Sequence, residues 1–266
     1  MNSSIFAEYF SDGVTQSYPV TSDNQIFMAR NNYFQFKQFR IIQDHSAMKV
    51  GVDGVLLGAW ADGSGTERIL DVGTGTGLIA LMMAQRNPNT WIDAVEIEPE
   101  AYQEALLNMD QSPWSDRLSV QCCSFQELKE RAVLKYDLIV SNPPFFGNGL
   151  KVPDENRAKA RHSDSLPLDV LISGAGGMLN RAGKIALVLP VESLQELEQL
   201  AVLNKLWISR LCRVKPNPQK PVFRILVELA HSESSVQEEE LMIEFEKHFD
   251  YTPEYRELTK DFYLKF

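Results

Sequence analysis

The amino-acid sequence predicts an α/β fold: a mostly parallel sheet of seven strands, helices on both faces and an antiparallel hairpin at one edge. Two observations carry that expectation. From Arg68 onward, short apolar runs of strand length alternate with stretches of helical length, the signature of βαβ units. The alternation breaks once, where the strand-like runs 207–214 and 223–230 follow each other with only the loop Pro216-Asn217-Pro218-Gln219-Lys220-Pro221 between them. Strands joined by so short a connection are antiparallel.

In chain order, residues 1–30 are rich in Ser, Asn, Asp and Thr without sustained periodicity and are expected to form an N-terminal extension, with one domain over 31–266. Met28, just before the first convincing segment, is a candidate natural start. The alternation in 34–39 predicts a short strand or ribbon, and 47–60 (AMKVGVDGVLLGAW) a turn leading into a helix. Strands are then expected at 68–72, 91–97, 118–124, 136–141, 184–190, 207–214 and 223–230. Helices are expected at 78–85, 100–110, 125–131, 168–180 and 193–204, with Pro88 and the Ser112-Pro113 turn stopping the first two. Residues 241–246 suggest an edge strand and 253–262 a last helix.

Composition excludes several classes. The chain has 266 residues, 44% of them hydrophobic and 23% charged, enough for one large core and ordinary for a globular protein. No run approaches about 18 apolar residues, so no membrane span is expected, and the first residues lack a secretory pattern. Cys122, Cys123 and Cys212 offer neither paired spacing nor metal-ligand spacing, which fits a reducing, cytoplasmic setting and no metal site. A net charge of −10 argues against a grip on nucleic acid by the whole surface. The charge is uneven, however: Lys205, Arg210, Arg213, Lys215, Lys220 and Arg224 have no acid between them, whereas 233–261 is strongly acidic. The basic stretch reads equally as a local phosphate-facing surface or a solvated sheet edge.

Four features fall at the ends of successive predicted strands. After the first comes Asp71-Val72-Gly73-Thr74-Gly75-Thr76-Gly77, where Gly73, Gly75 and Gly77 allow a tight turn and close ligand approach before a helix N-terminus. The spacing is G-x-G-x-G, not the dinucleotide G-x-G-x-x-G, and Asp71 would repel a pyrophosphate but receive an ammonium or a water. After the second comes Glu96, about twenty residues on, where a carboxylate can take ribose hydroxyls. Glu98 is the competing acid; Glu96 is preferred because the apolar run ends there. After the third, Ser124 and Phe125 could clasp an adenine. After the fourth, Asn142-Pro143-Pro144-Phe145 offers an amide, free carbonyls and a ring, a holder for a planar NH2 group. Ligands of open parallel sheets bind at the carboxyl ends of strands, so all four converge on one crevice. A ligand with an adenosine and a cationic amino-acid end fits it, which is S-adenosyl-methionine.

With these residues in view the chain resembles the class I methyltransferases, whose fold is Rossmann-like. More closely, from about Asn32 onward it is similar to the bacterial tRNA(Val) adenine N6-methyltransferases. The block 47–60 carries most of that similarity, with Phe36-Lys37-Gln38-Phe39, 108–114 (NMDQSPW), Arg161 and the aromatic stretch 261–264. The resemblance implies methylation of adenosine 37 of tRNA(Val), with the anticodon loop as partner and neither metal nor membrane; a monomer is expected. It places Asn142, Pro143, Pro144 and Phe145 at the chemistry, and Asp71, Gly73, Gly75, Gly77, Glu96, Ser124, Phe125 and Asn142 around S-adenosyl-methionine. Lys49, Lys151, Lys159, Arg161, Arg213, Lys215 and Lys220 are candidates for phosphate contacts. Ser124 departs from the family, which commonly has Asp there, and loses a charge-assisted bond. Rivals are methylation of rRNA guanine N2 or of release-factor glutamine, since the tetrapeptide specifies a planar NH2 and not its owner. A nicotinamide-dependent oxidoreductase is the rival of another class, but no hydride-transfer acid or base is in evidence.

Overall fold

The computed structural model describes residues 32–46, 48–131, 133–144 and 166–266. A two-stranded hairpin, β1 (Tyr33–Gln35) and β2 (Arg40–Ile42), precedes helix α1 (Val52–Trp60). The main sheet holds β3 (Arg68–Val72), β4 (Trp91–Glu96), β5 (Leu118–Cys122), β6 (Tyr136–Ser141), β7 (Leu179–Pro190), β8 (Trp207–Lys215), β9 (Arg224–Ala230) and β10 (Gln237–Met242). Its order is β10-β8-β9-β7-β6-β3-β4-β5. The helices are α2 (Leu78–Arg86), α3 (Pro99–Asp110), α4 (Phe125–Arg131), α5 (Leu168–Met178), α6 (Leu194–Leu203) and α7 (Pro253–Thr259). No helix among the described residues is long and apolar enough to cross a membrane.

Alternation along the buried strands splits the interior into two cores. Ile69, Leu138, Val140, Ala186 and Leu226 face α1, α2 and α7. Leu70, Val72, Ile139, Leu187 and Val227 face α4, α5 and α6. Helix α1 reaches its neighbour through a smooth stripe. A Cβ on Gly54 would stand 3.0 Å from Leu78 Cδ2, and one on Gly58 2.6 Å from Met82 Sδ, so two glycines one turn apart let α2 pack against it.

Two elements differ from expectation for identifiable reasons, while the strand or ribbon expected at 34–39 is a hairpin whose turn is closed by Phe36 N–H on the Phe39 carbonyl (2.9 Å). Its aromatic spacing serves burial: Phe36 stacks on Phe39 (4.6 Å) and on Tyr263 (6.0 Å), fastening the hairpin to the C-terminal segment. The antiparallel β8–β9 pair is not the outer edge, because β9 inserts beside β7 and β10 pairs in parallel outside β8, giving eight strands. Finally, β10 begins at Gln237 and so contains Glu238-Glu239-Glu240, a run poorly suited to a strand on its own. Its neighbour supplies the compensation. Arg213 meets Glu238 at 2.5 Å, and Arg210 meets Glu239 at 2.7 Å while lying over the Trp60 ring.

Arg210 also faces Glu228 (3.5 Å), a buried carboxylate that Lys184 approaches at 3.1 Å. Breaking a buried pair from one side costs far more than breaking an exposed one. Arg210→Ala is therefore expected to lower unfolding free energy by roughly 3 kcal/mol. Glu238→Ala, on the exposed pair, should cost less than about 1 kcal/mol. Urea unfolding of both variants measures the difference.

Candidate active site

The carboxyl ends of β3, β4, β5 and β6 lie side by side, and the chain features predicted there are brought to one edge. After β3, Gly73, Gly75 and Gly77 have φ of 68°, 58° and 85°, values that L side chains rarely adopt. A Cβ on Gly73 or Gly75 would meet nothing within 4 Å, so the loop borders open space, while Gly77 packs on Ala105 of α3. The loop is fixed from beneath by Gly73 and Thr74 N–H groups on the Val95 carbonyl (2.9 and 3.1 Å).

Asp71, fully buried, accepts from Thr74 Oγ1 (2.6 Å) and from Ala80 N–H in the first turn of α2 (3.1 Å) through Oδ2. Its Oδ1 is buried with no partner. Burial pushes the carboxyl pKa up to about 7 against the pull of the Thr74 and Ala80 hydrogen bonds. Glu96 is also buried. Its Oε2 accepts from Gly75 N–H (2.8 Å) and its Oε1 from Glu98 N–H (2.9 Å), tying β4 to the glycine loop. Each oxygen keeps a further lone pair for a hydroxyl. Glu98 itself is exposed at the start of α3.

After β6, Ser141 Oγ donates to the Val72 carbonyl (2.8 Å) and locks this strand end to β3. Asn142 follows, partly buried, with an Oδ1 that is buried and without a partner. Pro143 is buried and Pro144 exposed; Phe145 lies outside the described residues, as do Lys151, Lys159 and Arg161.

Other assigned residues also make contacts within the fold. Ser124 and Glu127 form a reciprocal cap on α4. Ser124 N–H and Oγ both bond Glu127 Oε2 (2.9 Å each), and Glu127 N–H returns to Ser124 Oγ (3.1 Å). The Phe125 ring is buried in the core against α5, where a Cβ on Gly174 would be 2.4 Å from it. Lys49 donates to the Gln43 and Asp44 carbonyls. Arg213, with Arg210 and Arg224, is ion-paired, so half of the six basic residues of the stretch have a carboxylate partner. Lys215 and Lys220 have no ion pair among the described residues; Lys215 ends β8 at the carboxyl edge, and Lys220 follows it in the loop to β9.

Sequence reasoning missed what holds the loop beside the crevice. Glu104 on α3 accepts from His45 N–H (2.6 Å) and Ser46 N–H (3.1 Å). One turn on, Asn108 bonds both Ile42 N–H and C=O (2.8 and 2.9 Å) and the Thr76 carbonyl of the glycine loop (2.9 Å). Two buried polar residues at helical spacing were the available signal.

The methyltransferase small domain family matches residues 54–205. The chain is 48% identical to a tRNA1(Val) (adenine(37)-N6)-methyltransferase of Trichodesmium erythraeum, over 88% of this chain and 99% of that one. A protein of the same name from Parabacteroides distasonis is 46% identical over the same shares. Among solved structures, a predicted O-methyltransferase, Atu636 of Agrobacterium tumefaciens, shares the fold (TM-score 0.61, 19% identity, 79% of this chain and 96% of that one). So does Pyrococcus horikoshii TYW2, solved with MeSAdo (TM-score 0.53, 13% identity, 75% and 71%).

Because Asp71 ionises less readily when folded, its penalty is absent below its ordinary pKa of 3.8 and grows as pH rises to about 7. Asp71→Asn keeps an oxygen for Thr74 and Ala80 and cannot ionise. The ligand-free variant is expected to match or exceed wild-type stability at pH 8, by up to roughly 3 kcal/mol, and to lose that advantage at pH 4. Thermal melts across this range test the sign.

Proposed function

The chain belongs to the tRNA1(Val) (adenine(37)-N6)-methyltransferase family, and on that premise we propose that it transfers a methyl group from S-adenosyl-methionine to the N6 amine of adenosine 37 in tRNA(Val). The observation that carries the reading within this structure is the unpaired, buried Asn142 Oδ1 at the end of β6, beside the glycine loop of β3.

The residues fit the donor. Asp71 presents an orphaned acceptor for a cationic group, Gly73 and Gly75 border open space, and Glu96 retains lone pairs for ribose hydroxyls. The adenine end would lie at the end of β5, where Ser124 Oγ keeps one acceptor position beyond its cap. S-adenosyl-methionine supplies the methyl group as an electrophile bonded to a sulfonium.

The chain's own work is positioning and charge complementarity. An adenine N6 lone pair is conjugated into the ring and poorly nucleophilic. Asn142 Oδ1 and the Pro143 carbonyl would accept hydrogen bonds from its two N–H groups, favouring a pyramidal nitrogen as its bond to carbon would form and the carbon–sulfur bond break, the surplus N–H proton passing to water. The prolines stiffen that carbonyl's backbone, and Phe145 is assigned to stack on the base. A nucleotide in an anticodon loop can be splayed into such a pocket more easily than one in a duplex.

Asn142→Ala is expected to lower turnover by at least about a hundredfold, while S-adenosyl-homocysteine still binds with near wild-type affinity. Equal loss of both would contradict the assigned role. Mass spectrometry of tRNA nucleosides from cells with and without the gene, with mapping of the missing methyl group, tests the substrate. For Lys215 and Lys220, replacing both by alanine should weaken tRNA binding and shallow its log–log salt dependence by roughly 1–2. An unchanged slope removes them from the interface.

A further inference from the structure

Among the described residues, four buried side-chain oxygens have no hydrogen-bond partner: Asp53 Oδ1, Asp71 Oδ1, Gln85 Oε1 and Asn142 Oδ1. Gln85 belongs to the last turn of α2, away from the site. The other three belong to the carboxyl end of the sheet and to the helix packed over it. Asp71 follows Ile69 by two residues on β3, and Asn142 continues the alternation of Leu138 and Val140, so both project to the sheet face that α1 covers. Asp53 is in the first turn of α1, next to Gly54, which touches Leu78 in the first turn of α2; Asp71 bonds Ala80 in that same turn.

Asp53 is held from the other side. Arg224 Nε donates to its Oδ2 at 2.9 Å. Ser141 is in register with Leu187 on β7, and Pro190, three residues further, with Arg224 on β9. The Arg224 end of the pair therefore stands beyond the end of β6, at the height of Asn142 and the prolines. Asp53 Oδ2 is fixed, and Oδ1 is left as a buried acceptor.

The charges sort the three acceptors. Asn142 and the Pro143 carbonyl are neutral and suit a neutral amine. Asp53 and Asp71 are carboxylates drawn to the same end of one face, an arrangement stabilised by a cation with several donors. We propose that Asp53, oriented by Arg224, is a second anchor beside Asp71 for the α-ammonium of the cofactor's amino-acid end. This rests on the cofactor reading above.

The test compares S-adenosyl-homocysteine with its analogue lacking the α-amino group, by calorimetric titration of wild type, Asp53→Asn and Asp53→Glu. Loss of one hydrogen bond to a charged group predicts about tenfold weaker binding of S-adenosyl-homocysteine to Asp53→Asn, with the deamino analogue unaffected. Asp53→Glu, which keeps the charge, should restore part of the discrimination and guards against a folding defect in Asp53→Asn. Equal weakening for both ligands would make Asp53 structural and overturn the proposal. Unchanged affinity for both, with a raised KM for tRNA, would assign it to the RNA and overturn it equally. Wild-type protein that binds neither ligand would instead remove the cofactor reading, and the anchor with it.

Discussion

The site depends on a carboxylate taken wholly out of water at the end of a central strand. Asp71 cannot be solvated where it stands, so its environment must supply donors, and the nearest ones are Thr74 in the glycine loop and Ala80 in α2. Those two bonds dictate how sharply the chain turns after β3 and where α2 begins. The left-handed glycines permit that turn but do not choose it. Glu96 repeats the device one strand away by seizing Gly75 N–H, so the loop is held between two acids. The site is costly in isolation: two carboxylates and several unpaired oxygens share a space suited to a positively charged partner.

Much of this was legible because it is local in the chain. β3 and β6 have the bounds expected of apolar runs buried on both faces, and Asp71, the glycines, Glu96 and Asn142 follow directly from where such strands end. The illegible parts depend on partners distant in sequence. Nothing near Phe125 announces that Gly174 will vacate a space for its ring. The acidic run 238–240 reads as solvated until Arg210 and Arg213 stand beside it, and Arg224 likewise finds its carboxylate far away in sequence, at Asp53. A charge run read alone gives its sign but not its partner. The cap of Ser124 is different: Ser-x-x-Glu is a local signal, compatible with an adenine role because Oγ keeps one acceptor position.

The division of labour among the helices follows from these contacts. α2 presents its first turn to the buried acid. α1, smooth at Gly54 and Gly58, leans over the same turn and brings Asp53 with it. α3 contributes almost no chemistry of its own, yet Glu104 and Asn108 join the loop after β2 to the glycine loop, so the wall and floor of the crevice form one body. Rigid support of this kind is what a reaction governed by alignment requires.

The fastening of the first hairpin to residues near 262 has a consequence for biosynthesis. Lys37 N–H bonds the Phe262 carbonyl at 2.8 Å, and Phe36 has Tyr263 as a ring neighbour. The loop that walls the crevice hangs from this hairpin through Ile42 and Asn108. During synthesis, which proceeds from the N-terminus, the hairpin therefore lacks this fastening until the aromatic segment after α7 has been made, whereas the loop itself is already tied to α3. Contacts of such long sequence separation form late and slowly. A chain without the segment after α7 would keep every strand of the main sheet and lose the fastening of its first hairpin.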